Sequence, residues 1–326
     1  MNRKCPVLYL VLPCYNESET IDHSAVKVKE KLQRMVSEGK ISPYSKALFV
    51  DDGSKDDTLS KLHELTKNDT VFGTVALSSN RGHQNAIMAG MMTARKFADI
   101  VVTIDADLQQ DIEALDEFVL KFTEGCDVVY GIRNDRSSDG FFKKMTASAY
   151  YGLMHTLGAS IMTNHADYRL LSKRALDMLS EYKETNLFLR GLIPTMGFQS
   201  DVVYFDVKER EFGKSKYTLK KMLNLALDGI TSMSIRPLHI ISAIGFIIFL
   251  ISIALGIFTL VEFFMGNNIP GYTTSIFVSL LMGGMTMVSL GIMGEYVGKV
   301  YMETKHRPRY LIDSVVLKDT GDVDKE

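Results

Sequence analysis

Apolar positions fall in two rhythms along the chain. Over the first 130 residues, short apolar and β-branched runs at 7–12, 47–50, 72–77, 100–104 and 127–130 are separated by longer amphipathic stretches. Runs that stay apolar at successive positions suit strands covered on both faces, as in parallel sheets. Their alternation with helical stretches predicts a parallel α/β sheet. An Asn cap with an acid three residues later, Asn16-Glu-Ser-Glu19, predicts a helix start there. Further helices are expected over residues 83–97 and from about Asp111.

Beyond Arg236 the rhythm changes. No Asp, Glu, Lys or Arg occurs between Arg236 and Glu262, nor between Glu262 and Glu295. A membrane-crossing helix needs roughly 20 apolar residues, and residues 240–264 and 274–297 each supply such a stretch. A polar turn, 265–272, joins them. Lys214, Lys216, Lys220, Lys221 and Arg236 precede the first stretch, Lys299, Lys305, Arg307 and Arg309 follow the second, and the turn carries no cation. The positive-inside rule then puts both termini and the large N-terminal region in the cytoplasm, in a multi-pass protein of the inner membrane. Leu219, Met222, Leu223, Ala226, Leu227, Ile230 and Met233 recur at helical spacing, which predicts an amphipathic helix over 217–234 lying at the headgroup interface. The expected organisation is residues 1–209 as an α/β domain, 210–236 as a basic loop and juxtamembrane helix, 237–299 as a hairpin of two transmembrane helices, and 300–326 as a cytoplasmic tail.

Composition narrows the picture. The 326 residues carry a net charge of −2, which argues against a nucleic-acid partner bound through phosphate neutralisation. Cys5, Cys14 and Cys126 show no Cys-x-x-Cys spacing, suit a reducing compartment, and are expected as packing thiols at positions 14 and 126. The N-terminal apolar run is too short for a signal peptide.

The chemistry gathers at strand ends. Asn16 and Glu17 follow the first run, Asp51 and Asp52 the second, and Asp105 and Asp107 the fourth, with Gln109 two positions on. Ligands of open α/β sheets bind beyond the carboxyl ends of the strands. Two acids and an amide there can hold a hard divalent cation beside a phosphate; the competing reading is that they turn the chain and cap the helix near Asp111. Neither Gly-x-Gly-x-x-Gly nor Gly-x-x-x-x-Gly-Lys-Ser/Thr is present, which disfavours dinucleotide and P-loop enzymes.

Leu12-Pro13-Cys14-Tyr15-Asn16-Glu17, Val50-Asp51-Asp52-Gly53-Ser54, the segment from Asn80 to Gly90 and Asp105-Ala106-Asp107-Leu108-Gln109 together resemble the family-2 glycosyltransferases of GT-A fold. The paired apolar stretches and Arg210-Glu-Phe-Gly-Lys214-Ser215-Lys216-Tyr217 narrow the resemblance to bacterial polyprenyl-phosphate glycosyltransferases, a group that includes undecaprenyl-phosphate glucosyltransferases and relatives of dolichol-phosphate mannose synthase. The resemblance implies that Pro13, Tyr15, Glu17 and Asp52 line the nucleotide pocket and that Asp105 contacts the sugar or ribose. It also implies that Asp107 and Gln109 hold Mg2+ or Mn2+. Core packing of Tyr15 and helix capping by Asp51 or Asp52, with Ser54 assisting, are the structural alternatives. Arg210, Lys214, Ser215 and Lys216, with Arg133 and Arg169, are the candidates to grip a lipid phosphate; generic attraction to anionic lipids competes for the lysines. Asp167, in Asn164-His-Ala-Asp167-Tyr-Arg169, is the candidate general base or acceptor-orienting group. His83 and His165 are left outside the metal site.

The expected activity is inverting transfer of one hexose from a nucleotide sugar, UDP-glucose first, to undecaprenyl phosphate. N-acetylglucosamine, galactose, mannose and amino-arabinose donors stay open. The absence of Trp excludes the Gln-x-x-Arg-Trp motif of processive synthases. A catalytically inert, membrane-tethered nucleotide-sugar-binding subunit is the alternative of another class. Gly283, Gly284 and Gly291 permit close helix packing, so a homo-oligomer is expected, with a tetramer the preferred number.

Overall fold

The computed structural model describes residues 3–134, 165–206, 231, 234–265 and 271–318. Arg210, Lys214, Ser215 and Lys216, most of the expected juxtamembrane helix and residues 266–270 lie outside the described residues. The chain divides into two compact units: a sheet with its helices, which includes residues from Arg307 on, and a helical unit.

In the first unit, eight strands form one sheet: β1 (Leu8–Cys14), β2 (Lys46–Asp51), β3 (Phe72–Leu77), β4 (Ile100–Thr103), β5 (Val128–Arg133), β6 (His165–Ser172), β7 (Ser200–Phe205) and β8 (Ile312–Val316). Their order is β7-β5-β6-β4-β1-β2-β3-β8. β4, β1, β2 and β3 run parallel, and β5 and β7 pair in parallel. β6 is antiparallel to both β4 and β5, and β8 is antiparallel to β3. The mainly parallel α/β sheet is the one expected. Helices α1 (Ile21–Ser37), α2 (Thr58–Asn68), α3 (His83–Ala94), α4 (Leu115–Thr123), α5 (Lys173–Glu181) and α6 (Leu189–Thr195) accompany it.

Successive side chains of a strand point to opposite faces, and the β1 run shows why it must be apolar throughout. Leu8, Leu10 and Leu12 join Val28, Leu32 and Phe118 of α1 and α4 in one core cluster. Tyr9 and Val11 join Ala86 and Met91 of α3 and Leu176 of α5 in a second cluster. Gly90 lets α3 approach the sheet: a Cβ there would fall 2.5 Å from Val11 Cγ1 and 2.7 Å from Val50 Cγ2. Cys14 and Cys126 are buried, as their apolar surroundings suggest, and Cys5 is exposed.

Three expectations are corrected. No helix starts at Asn16, which has φ +52°. Its N–H donates to Ser54 Oγ at 3.0 Å and its Oδ1 accepts from Lys55 N at 2.9 Å. The side chain thus ties two loops together instead of capping, and α1 begins at Ile21. Helix α3 ends at Ala94, three residues before Phe97. The C-terminal stretch is more than a tail, because it returns as β8.

The helical unit holds α7 (Arg236–Phe264) and α8 (Tyr272–Thr304), of 29 and 33 residues. At 1.5 Å per residue these are about 43 and 50 Å long, beyond the roughly 30 Å of a bilayer's hydrocarbon core. Among the described residues one helix is long and apolar enough to cross a membrane by length and composition, through Arg236–Leu255 with mean hydropathy 2.6. Large apolar side chains stand exposed on both helices, Phe246, Ile257, Val288 and Leu290 among them. The Tyr296 hydroxyl of α8 donates to the Ser234 carbonyl, just before α7, at 2.7 Å.

Candidate active site

The parallel order puts the C-terminal ends of β1, β2, β4 and β5 on one rim, where antiparallel β6 has its N-terminal end. The acids that follow the strands in sequence are therefore brought to one edge.

On the β1–β2 side, Tyr15 is 37% exposed and so is not packed in the core, while Pro13 is buried within β1. Glu17 accepts from the Thr20 hydroxyl at 2.8 Å, and its own N–H donates to Thr58 Oγ1 at 2.9 Å. The neighbouring acids divide the work. Asp51 Oδ2 accepts from Ser54 N at 3.1 Å and closes the turn. Asp52 is buried and accepts from Arg81 N at 2.7 Å and Gly82 N at 2.9 Å. Burial raises the Asp52 pKa, against the opposing pull of those two N–H donors. Between this loop and the one after β3 the backbones almost touch. Gly53 has φ +67°, and a Cβ there would lie 2.6 Å from Asn80 N and from the Ser79 carbonyl carbon. Gly53→Ala should therefore cost at least the roughly 1–2 kcal/mol of a left-handed non-glycine residue, and more for the backbone clash. Equilibrium unfolding in denaturant reads this directly; a loss below about 0.5 kcal/mol, the range of ordinary surface changes, would refute it.

The segment after β4 is a tight turn. Leu108 N donates to Asp105 O at 3.1 Å, and Leu108 adopts φ +48°, an uncommon conformation for a non-glycine residue, with its side chain buried in the first core cluster. Ser24 Oγ of α1 donates to the Ala106 carbonyl at 2.6 Å. Asp105 is gripped by Gln110: Asp105 N donates to Gln110 Oε1 at 2.8 Å, and Gln110 Nε2 donates to Asp105 Oδ2 at 2.5 Å. Asp107 Oδ1 accepts from the Gln109 backbone N–H at 3.2 Å. Helix capping falls to Asp111, which accepts from Glu113 N, so neither Asp105 nor Asp107 is needed for it. Among the described residues no three His, Cys, Asp or Glu side chains converge as a closed metal site. A carboxylate pair at the open rim suits a cation of the Mg2+ kind, which keeps waters and binds through one or two carboxylates plus substrate phosphates. The oxygen donors of Asp105 and Asp107 are of the kind such a cation takes.

Asp167 lies at the centre of a cationic cluster. It and Arg169 are two apart on β6 and so share a face, and the Arg169 guanidinium donates to Asp167 Oδ1. Arg190 of α6 forks onto the same carboxylate, Nε to Oδ1 at 3.1 Å and Nη2 to Oδ2 at 2.8 Å. His83, the first residue of α3, places Nε2 3.5 Å from Asp167 Oδ2 and 3.6 Å from Asp105 Oδ1. Burial pushes the Asp167 carboxyl up, but the Arg190 charge, the His83 hydrogen bond and Arg169 outweigh it and hold the pKa well below the carboxylate range. For Asp105 burial prevails over the His83 charge, and its pKa is raised with help from Asp167 and Asp107. Burial works against protonation of His83, yet the Asp167 hydrogen bond and both carboxylates raise its pKa overall.

Arg169 is corrected as a lipid-phosphate contact. It is fully buried, its charge is paired with Asp167, and its Nε and Nη1 are enclosed without a partner. Arg133 is exposed at the end of β5 on the functional rim. The sequence reading missed Gln110, Arg190 and the bridging position of His83. The Asp167–Arg169 pairing did carry a signal, since their spacing is that of one strand face.

Residues 9–179 match the profile of Glycosyl transferase family 2. The chain is 44% identical over 314 residues to an uncharacterized glycosyltransferase, YkoT, of Bacillus subtilis (strain 168), covering 96% of this chain and 93% of that one. It is 36% identical over 308 residues to the bactoprenol glucosyl transferase of Shigella phage SfX, covering 94% of this chain and 98% of the relative. Among solved structures, glucosyl-3-phosphoglycerate synthase from Mycobacterium tuberculosis aligns at a TM-score of 0.47 and 18% identity, over 71% of this chain and 80% of that one.

Proposed function

Because the chain belongs to glycosyl transferase family 2, we propose that this enzyme transfers one hexose from a nucleotide sugar, UDP-glucose the preferred donor, to undecaprenyl phosphate with inversion at the anomeric carbon. The observation that carries the acceptor is the likeness to the phage bactoprenol glucosyl transferase, which extends through the helical unit as well as the sheet.

In this reading Pro13, Tyr15, Glu17 and Asp52 form the nucleoside side and Asp105 meets the sugar. Asp107, with Gln109, would hold Mg2+ or Mn2+, which when bound supplies Lewis-acid neutralisation of the departing diphosphate. The acceptor oxygen needs little deprotonation, since a phosphomonoester has its second pKa near roughly 6. That oxygen bonds to the anomeric carbon as the bond to the nucleoside diphosphate breaks, and the electron pair leaves with the diphosphate. Asp167, kept ionised by its cations, then acts by orientation and not as a base. It fixes Arg190, which is 30% exposed and takes the place of Arg169 among the lipid-phosphate contacts beside Arg133, Arg210, Lys214, Ser215 and Lys216.

A membrane location completes the proposal. β7 and β8 belong to one sheet while α7 and α8 lie between them in sequence. A chain that enters a bilayer between those strands leaves it on the same side, which two spans satisfy and one does not. The catalytic unit then faces the cytoplasm from the inner membrane, and a homo-oligomer is part of the same proposal.

A panel of nucleotide sugars incubated with undecaprenyl phosphate, divalent cation and the purified protein should yield one sugar-bearing lipid, identified by mass, with UDP-glucose as the productive donor. Donor binding with no sugar transfer to the lipid phosphate would sink the reading.

A further inference from the structure

Four consecutive residues, Arg81 to Gln84, reach four different parts of the rim. The backbone N–H groups of Arg81 and Gly82 hold Asp52. His83 faces Asp105 and Asp167. Gln84 crosses to another element, its Oε1 accepting from Leu189 N at 2.9 Å. That last contact has a physical reason. The first N–H groups of a helix have no partner within the helix, and a polar side chain at the N-cap ordinarily supplies one. Helix α6 begins after Phe188, which makes no side-chain cap bond and has no polar atom with which to make one. The acceptor for the first α6 N–H comes instead from α3. The next residue, Arg190, is the one that forks onto Asp167.

We propose that Gln84 is a positioning residue for Arg190: by capping α6 from α3 it fixes where the Arg190 guanidinium meets Asp167 and the acceptor phosphate. The phosphate part rests on the acceptor reading given above; the cap does not. The donor loop at Asp52 and the acceptor-side arginine are thereby joined through one turn of chain.

Three substitutions separate the capping oxygen from side-chain bulk. Gln84→Met keeps the length and loses the acceptor, Gln84→Asn retracts it by one methylene, and Gln84→Glu keeps it. Misplacement of a positioning group by about 1 Å can cost on the order of 100-fold in rate. Accordingly, kcat with the lipid phosphate should fall by about 10- to 100-fold in Gln84→Met and Gln84→Asn, with the donor KM unmoved, and should recover in Gln84→Glu. If Gln84 acts through Arg190, Gln84→Met adds no further loss to Arg190→Lys, because residues in one network are non-additive. Hydrogen exchange over residues 187–195 of the full chain reads the cap with no substrate present: faster in Gln84→Met and Gln84→Asn, at the wild-type rate in Gln84→Glu. Wild-type exchange in Gln84→Met, equal losses in Gln84→Met and Gln84→Glu, or a full additive loss on Arg190→Lys overturns the inference. A wild-type protein that leaves lipid phosphate unglycosylated overturns the acceptor reading instead, and the exchange result still decides the cap.

Discussion

Asp167→Asn should lower the free energy of unfolding by about 3–5 kcal/mol, the usual cost of breaking a buried ion pair from one side. The carboxylate is 8% exposed and is shared by Arg169, Arg190 and His83. Removing its charge strands the Arg169 guanidinium, which has no exposed surface and two nitrogens already without partners. Denaturant unfolding of the two proteins measures the difference, and a loss under about 1 kcal/mol, within the range of an exposed pair, would show that the cluster is not structurally coupled. The pH dependence has a definite sign. The folded pKa of Asp167 lies well below its ordinary value, so its stabilisation is complete above the unfolded value of about 3.9 and is lost as the pH falls through the folded value. The gap between wild type and variant should therefore close on acidification below about pH 4, and it should narrow again as the pH rises above 6.5 and His83, whose pKa Asp167 helps to raise, loses its proton. Transfer should also fall while donor binding survives, because the nucleoside-side residues do not touch Asp167.

The second large effect is expected at Asp107. Its backbone is fixed by the Leu108 turn and by Ser24 on Ala106, so Asp107→Asn leaves the fold in place and changes the charge presented at the rim. Loss of one preorganised electrostatic group typically costs about 10²- to 10³-fold in kcat, and that fall is expected here, with a weaker apparent affinity for Mg2+ or Mn2+ in a metal titration of turnover. An unchanged rate at limiting metal would remove Asp107 as a ligand. The two variants separate cleanly: Asp167→Asn should show in stability and transfer together, Asp107→Asn in turnover alone.

What sequence could reveal follows from locality. β3 is legible to the residue, because residues 72–77 are uninterruptedly apolar or small and covered on both faces. The acids after β1, β2 and β4 are legible because parallel order alone sends strand ends to one rim. β6 is harder to read, since Asp167 and Arg169 stand where a buried strand would carry apolar residues. An isolated Arg is almost never fully buried unless paired, and the pairing here sits two residues away on the same strand face. Of two adjacent amides, the sequence offers no choice between Gln109 and Gln110; the left-handed Leu108 makes it, turning Gln110 onto Asp105. Arg190, Gln84 and His83 come together only because α3 and α6 meet over the sheet, a juxtaposition with no local signature. β8 hides for another reason: its residues are largely exposed on a sheet edge, and Ile312-Asp-Ser-Val-Val316 shows no apolar alternation.

The edge covered by β8 also sets an order of events during synthesis. β3 pairs on its outer side with residues 312–316, its Gly73 fits beneath Leu317, and buried Lys46 reaches the carbonyl of Lys318 at 2.5 Å. None of these partners exists until both long helices have been synthesised. Through most of translation the β3 strand therefore presents an unpaired row of N–H and C=O groups, a template for pairing with other chains. A message cut short after α8 would leave that row open for good. Residues 312–318 are thus the ones that turn a growing, aggregation-prone sheet into one with a covered edge.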